Sequence, residues 1–309
     1  MVDLHLHLDG SLSPSFVIAQ AKAQGIVLPV PESHVAELMS PKNCRDLNDY
    51  LKAFELPLMV LQVASGLTDA YCALARRLKE TEVDYAEIRF APQLHTKKGL
   101  SSQDIVEAVL RGREQAQASD VRTNVILCCM RGKENIKQNF ETVELARAYA
   151  HKGVAGVDLA GAEALYDTAG FKEIFCRAVS YGIPITIHAG EADGADSVRK
   201  ALAMGARRIG HGVRMAEDIK LLELVSREGI GVEMCPTSNI QTKAIADFAD
   251  YPILRYLELG ILATVNTDNM TVSDTTVGQE FRLLKSKLGM TDAQMATLID
   301  NSYKIAFGN

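Results

Sequence analysis

Short apolar runs recur along the chain, separated by longer segments whose apolar residues follow helical spacing. Eight runs read as strands: Val2–Leu8, Asp84–Phe90, Thr123–Met130, Ala155–Leu159, Pro184–His188, Arg208–Gly210, Gly231–Met234 and Leu262–Asn266. Strands alternating with helical patterns imply a parallel sheet, and eight such units are the number that closes a (β/α)8 barrel of the TIM type, an α/β fold. In an extended segment side chains alternate between faces. Leu4, Leu6 and Leu8 therefore share one face of the first run, and His5 and His7 share the other. The leucines call for an apolar layer of helices behind the strand, so the histidines look into the barrel. His188 and Asp268 stand at the C-terminal tips of later runs, the end at which barrel enzymes gather their active sites.

The first connection, about residues 9–83, is far longer than one crossover helix needs. It contains Leu47–Gln62, with apolar residues at helical spacing, and predicts a helical cap over the barrel mouth. Pro29-Val30-Pro31 and Ser40-Pro41-Lys42-Asn43 punctuate the insertion without resembling a linker between domains. Residues 1–309 are thus expected to form one domain, with one clear helical stretch, Asp292 to about Lys304, after the last strand.

Composition narrows the class. With 47% hydrophobic and 23% charged residues, the 309-residue chain has ample material for a core. Its net charge is −6 and no basic block is dense enough for a nucleic-acid footprint, so no nucleic-acid partner is expected. Lys97-Lys98 and Arg207-Arg208 are read as solvated charges. Cys44, Cys72, Cys128, Cys129, Cys176 and Cys235 contain no Cys-x-x-Cys pair, which indicates neither a thiolate metal site nor a disulfide framework. They are read as small buried apolar groups. No leader pattern and no apolar stretch of membrane length is found, so a reducing cytoplasm without a membrane partner is the expected setting.

The candidate chemistry lies in the histidines and carboxylates. A His-x-His pair alone is equally a pair of core or surface histidines. With His188 and Asp268 it becomes three imidazoles and a carboxylate, a set that suits Zn²⁺ and leaves Fe, Co and Mn open. Glu191, three residues beyond His188, reads as a general acid or base, and alone also as a solvated loop glutamate. His211, flanked by Gly210 and Gly212, is placed to orient a water and stabilise developing charge, and alone is also a turn histidine. His34, His95 and His151 are ordinary by position, with His151 at a helix end.

These residues resemble the adenosine deaminase family among the amidohydrolase-type barrels. The resemblance rests on Val2-Asp3-Leu4-His5-Leu6-His7-Leu8-Asp9-Gly10-Ser11, Gly156-Val157-Asp158-Leu159-Ala160-Gly161, His188-Ala189-Gly190-Glu191, Gly210-His211-Gly212, Cys235-Pro236-Thr237-Ser238-Asn239 and Asn266-Thr267-Asp268, which follow the family's order over nearly the whole chain. It implies hydrolytic deamination of adenosine and 2′-deoxyadenosine by a zinc-bound hydroxide, with a purine nucleoside as the small-molecule partner. One Zn²⁺ would be held by His5, His7, His188 and Asp268. Glu191 would protonate purine N1, His211 would stand beside the attacking water, and Asp268 or His211 would take up or orient its proton. Asp9 would hold the ribose 5′-hydroxyl, and the Gly161 N–H would reach N3. Asn269 would donate to N7, where many animal members carry aspartate. Phe54, with Leu58 and Met59, would form the apolar lid, and His7 is counted with the substrate contacts too.

Asp9 would repel a 5′-phosphate, which argues against AMP. A modified adenine nucleoside or a futalosine-type precursor is the alternative substrate. A catalytically silent nucleoside-binding barrel is the reading from another class, and the intact His5, His7, His188, Glu191, His211 and Asp268 argue against it. No lysine ends the fourth strand at Asp158-Leu159-Ala160-Gly161, so a single metal is expected. The His-x-Glu and Pro-Cys-x-x-Cys signature of the other deaminase class is missing. The chain begins closer to strand one and ends sooner after strand eight than is usual in the family, from which a weaker barrel closure is expected.

Overall fold

The structure, a computed structural model, describes residues 1–116 and 121–308. All eight expected strands are present: β1 (Val2–His7), β2 (Tyr85–Phe90), β3 (Arg122–Met130), β4 (Val154–Ala160), β5 (Thr186–Ala189), β6 (Arg208–His211), β7 (Gly231–Met234) and β8 (Leu262–Val265). They pair in parallel as two four-stranded sheets, ordered β1-β2-β3-β4 and β5-β6-β7-β8. Isolated parallel bridges join the sheets into a ring, Val157 to Ile185 on one side and Leu6 to Asp268 on the other. At the second seam the His7 N–H donates to the Asp268 carbonyl and the Asp268 N–H to the His5 carbonyl, both at 2.8 Å. The Leu4 N–H donates to the Asn266 side-chain oxygen at 2.9 Å, an amide standing in for a strand neighbour.

Burial of the outward strand faces stabilises this ring. Leu6, Leu8, Ile88, Leu127, Ile187 and Ile209 are buried in one contiguous core with the surrounding helices, each worth about 1.5–3 kcal/mol relative to exposure. The helix Ala64–Glu80 buries Leu67, Tyr71, Leu74 and Leu78, a stripe at helical spacing. Asp292–Ile305, started by a capping box between Thr291 and Gln294, packs across β8 and β1 and so covers the seam.

The barrel interior is charged. Arg89 pairs with Asp158 at 3.0 Å and with Glu233 at 2.8 Å, while Arg208 pairs with Glu233 and with Glu87, both at 2.6 Å. All five side chains are buried. Arg208 therefore departs from the expected solvated pair: it alternates inward from Arg207, and the guanidinium lies 3.6 Å from the Phe307 ring centroid at the barrel floor. Removing one member of such a buried network leaves an uncompensated charge, at a cost of about 3–5 kcal/mol.

Two further expectations are corrected and one is refined. The helical spacing over Leu47–Gln62 is realised in three pieces, Leu47–Tyr50, a 3-10 turn Leu51–Phe54 and Glu55–Val60. Pro57 lies in the first turn of the last piece, where its missing N–H is tolerated, whereas it would break a continuous helix. Two helices rather than one follow β8, Val277–Leu288 and Asp292–Ile305; Gly289, at φ +64°, ends the first. Cys44, Cys128, Cys129 and Cys235 are buried, but Cys72 is partly exposed and Cys176 lies on the surface of the helix Lys172–Ser180. No described helix is long and apolar enough to cross a membrane.

Candidate active site

At the C-terminal mouth of the barrel the chain gathers what its sequence had dispersed. His5 and His7 come from β1, His188 from β5, and Asp268 from the turn after β8, with one ligand atom of each lying within 4.8 Å of the others. The His7 and His188 Nε2 atoms are 3.2 Å apart, and Asp268 Oδ1 lies 3.5 Å from His5 Nε2 and 3.4 Å from His7 Nε2. His5 Nε2 is buried and has no hydrogen-bond partner. An orphaned lone pair in a closed pocket, facing two other imidazoles and a carboxylate, fits a cation and little else. Burial, before any charge, holds His7 and His188 below the usual histidine value, which keeps them as neutral ligands.

Each ligand is oriented from behind. The Nδ1 of His5 lies 2.8 Å from Glu233, that of His188 lies 2.9 Å from Asp158, and the Ser238 hydroxyl donates to Asp268 Oδ2 at 2.5 Å. A carboxylate accepting the Nδ1 proton leaves the Nε2 lone pair for a metal. Arg89 joins the two carboxylates across the barrel axis. Gly210 makes room for this packing: a Cβ there would sit 2.9 Å from His5 Cε1.

Glu191 lies in the loop after β5. It is buried, accepts the Thr242 hydroxyl at 2.9 Å, and approaches His211 Nε2 at 3.5 Å. Burial first, and then the charge of Asp268, push its carboxyl up to about 8. A carboxyl raised in this way is suited to donate a proton near neutral pH. His211 ends β6 with φ +64°, and Asp268 has φ +59°, both in the left-handed region that non-glycine residues avoid. Asn239 contacts His211 Nδ1 at 2.9 Å and is itself held by the Tyr251 hydroxyl at 3.1 Å. The segment Cys235-Pro236-Thr237-Ser238-Asn239, whose helix spans Pro236–Gln241, thus supplies Ser238 to Asp268 and Asn239 to His211, and Thr242 just beyond it reaches Glu191.

A cavity of about 210 Å³ opens above these groups, lined by His7, Asp9, Tyr50, Phe54, Leu58, Cys128, Met130, Gly161, Glu191, His211 and Asn269, among others. Every expected substrate residue is therefore at this cavity. Gly161 has φ +104°, a conformation open to glycine. Burial raises the Asp9 carboxyl to about 6. Met59 is the exception among the lid residues: it packs against the core and Leu58 faces the cavity. Asn269 is less free than its sequence implies. Its amide nitrogen donates to the Tyr50 hydroxyl at 3.1 Å while its oxygen is buried without a partner. In the reverse amide orientation Tyr50 donates to the oxygen, Ser273, 2.7 Å from that hydroxyl, donates to Tyr50, and the nitrogen is freed. His95 is buried against the Leu61 carbonyl at 3.0 Å, outside the cavity lining, and His34 and His151 are exposed.

Sequence reading missed Asp158, Glu233 and Arg89 behind the ligands, and the roles of Ser238 at Asp268, Asn239 at His211 and Thr242 at Glu191. Inward alternation from Glu87 and Arg89 along β2 was the available signal.

A (β/α)8 barrel whose mouth combines a three-histidine, one-aspartate cluster with a buried glutamate is built as a metal-dependent hydrolase. The comparisons with known proteins narrow this. The family model for adenosine deaminase matches residues 1–309. The adenosine deaminase of Haemophilus ducreyi is 47% identical over 314 positions, spanning 99% of this chain and 91% of that protein. That of Enterococcus faecalis is 40% identical, with 99% and 91% covered. The solved adenine deaminase of Arthrobacter aurescens superposes with a TM-score of 0.92 at 29% identity, over 100% of this chain and 94% of that one. The chain belongs to the adenosine deaminase family, and it is a hydrolase acting on C–N bonds.

Proposed function

We propose that this enzyme hydrolyses adenosine and 2′-deoxyadenosine to the inosine nucleosides and ammonia, in cytoplasmic purine salvage, with one Zn²⁺ held by His5, His7, His188 and Asp268. The observation that carries this reading is the buried Glu191 carboxyl, 3.5 Å from His211 and beside a convergent imidazole and carboxylate cluster. The ion would lower the pKa of water toward neutrality and so supply a nucleophile at the purine C6.

The remaining steps belong to the chain. Glu191 donates its proton to N1, which relieves the resistance of the aromatic ring to addition at C6. His211, kept neutral first by burial, orients the attacking water and stabilises charge developing on it. Asp268 accepts the water proton for delivery to the departing amine. Gly161 receives N3 and Asn269, held by Tyr50 and Ser273, donates to N7. Asp9 receives the 5′-hydroxyl, and Phe54 and Leu58 exclude water from the ribose side. Ammonia leaves from C6, the proton of the added hydroxyl returns to Glu191, and the inosine carbonyl forms. Purine relatives named adenosine deaminase at 40% and 47% identity support adenosine over free adenine. The six cysteines, with no disulfide among the described residues, support a reducing compartment.

The test is ultraviolet monitoring of adenosine loss by the zinc-loaded protein and its Glu191→Gln variant, with adenine, AMP and an N6-modified adenosine as comparators. Turnover of adenosine by the parent protein alone is the expected result. Faster turnover of a comparator would reassign the substrate, and full activity of Glu191→Gln would remove the acid from its role.

A further inference from the structure

Glu163 lies three residues after β4 and is buried, and nothing in the reaction as described uses it. Its carboxylate is surrounded by five donors. Oε1 accepts the Gly190 N–H at 2.7 Å and the Ser197 hydroxyl at 2.6 Å. Oε2 accepts the N–H groups of Glu191, Ala192 and Asp193 at 3.0, 2.7 and 3.1 Å. Four consecutive backbone N–H groups converging on one anion form a nest, an anion-binding concavity whose buried donors Glu163 satisfies. Gly190 enters it at φ +72°. The other side of the loop is fixed by a buried cation, since Arg131 donates to the His188 carbonyl at 2.7 Å. The segment carrying Glu191 is thus gripped between two side chains of opposite charge, contributed by the ends of β3 and β4.

We propose that Glu163 is a positioning residue for the deamination: its carboxylate fixes the backbone of residues 190–193 so that the Glu191 carboxyl stays within proton-transfer reach of the substrate ring. This inference rests on Glu191 being the acid. Thr242 holds only the carboxyl end of Glu191 and the Arg214 N–H holds the Gly190 carbonyl at 3.0 Å, so beyond Gly190 the placement of the 191–193 backbone depends on the nest. Were the anion lost, four N–H groups would turn toward other acceptors and carry the Glu191 Cα with them. A displacement of about 1 Å at a reacting group costs roughly 100-fold in rate.

Glutamine is the informative replacement, because it matches glutamate in volume. If Glu163 only fills space, Glu163→Gln is silent. If it is the anchor, an amide offers one acceptor and one donor where five donors converge. In the zinc-loaded full chain, Glu163→Gln is expected to speed hydrogen exchange of the residue 190–193 amides by about tenfold or more. It should lower kcat for adenosine about 100-fold, with KM within about threefold and one zinc per chain retained. Faster exchange with unchanged kcat overturns the proposal, as does unchanged exchange, or a kcat loss that merely follows lost zinc or lost folded protein. Should Glu163→Gln not fold, Ser197→Ala removes one of the five donors and leaves the anion in place. Exchange and kcat shifting together by several-fold then supports the anchor, and unchanged kcat overturns it. A Glu191→Gln variant with full turnover would defeat the acid assignment itself, whereas an inactive Glu191→Gln beside a normal Glu163→Gln defeats only the anchor.

Discussion

Asp158→Asn alters no volume, yet it reverses a hydrogen bond on which the metal site depends. The Asp158 carboxylate stands between two groups: Arg89 Nη1 lies 3.0 Å from Oδ2, and His188 Nδ1 lies 2.9 Å from Oδ2 and 3.0 Å from Oδ1. Arginine can only donate, so the amide oxygen of asparagine must take the Oδ2 position. Its NH2 then stands about where Oδ1 was, so the His188 N–H keeps only the oxygen it shares with Arg89 and faces a second donor at 3.0 Å. Moving the imidazole proton to Nε2, the atom that faces the cation, turns that repulsive contact into a hydrogen bond. Loss of such a supporting contact lowers metal affinity by about 10–100-fold, and the upper end of that range corresponds to about 2.7 kcal/mol. We expect Asp158→Asn to lie at that end. Arg89 keeps Glu233 and the Leu4 carbonyl as partners, so the metal-free protein should lose about 3 kcal/mol, the low end of the range for a broken buried pair, and remain folded. Zinc affinity is read by competition with a chromophoric chelator at fixed pH, and stability by urea unfolding of the metal-free protein. An affinity within about threefold of the parent protein, with the fold intact, would refute the claim that Asp158 sets the His188 tautomer.

Three more outcomes are expected. Because Glu191 must be protonated to donate and its carboxyl is raised to about 8 by burial, kcat/KM for adenosine should fall as pH rises through a limb at or below about 8, a bound cation pulling it down. Glu191→Gln should remove that limb with a kcat loss of about 10²–10⁴, and a limb above pH 9 in the parent enzyme would contradict the assignment. Gly210→Ala sets a methyl 2.9 Å from His5 Cε1 while Glu233 holds the ring from behind; it should cost about 1–3 kcal/mol in thermal or urea unfolding and weaken zinc binding, and normal values for both would show that the ring can yield. Glu280, buried on Val277–Leu288 and accepting the Thr237 N–H at 3.2 Å, has its carboxyl raised from 4.5 to about 7, by burial first. Folded and unfolded chains are both protonated there below pH 4.5, and the unfolded state is increasingly favoured as pH rises to 7. Glu280→Gln should therefore be more stable by roughly 3 kcal/mol at pH 8 and equal to the parent at pH 4.5, and a gain independent of pH in urea unfolding would exclude this account.

The strands were legible because each is a short apolar run bounded by turn residues, and Gly231–Met234 is read to the residue. The convergence of three histidines and an aspartate was legible because His5 and His7 alternate with leucines and because His188 and Asp268 end apolar runs. The barrel interior was not. Arg208 follows Arg207 in sequence and looks like half of a surface pair, and only the register of β6 beside β7 turns it toward Glu233. Glu163 was equally hidden, since a lone glutamate after a strand gives no sign that four N–H groups from a loop far along the chain will surround it. Contacts set by tertiary pairing, unlike those set by period, leave no local trace. The broken cap helix had a local signal in Pro57, outweighed by the apolar spacing around it.

The seam between β8 and β1 also sets a clock on biosynthesis. His5 and His7 are made about 260 residues before Asp268, which bonds to both their backbones and completes their cluster. At about 5–20 residues per second, roughly 13 to 50 s separate the two events. A growing chain carries the two histidines without Asp268 for that interval, and the four-donor cluster comes together only once β8 has emerged and the ring has shut. A cation held by all four groups would therefore be acquired after β8, and a chain abandoned before that strand would leave the ribosome without the site.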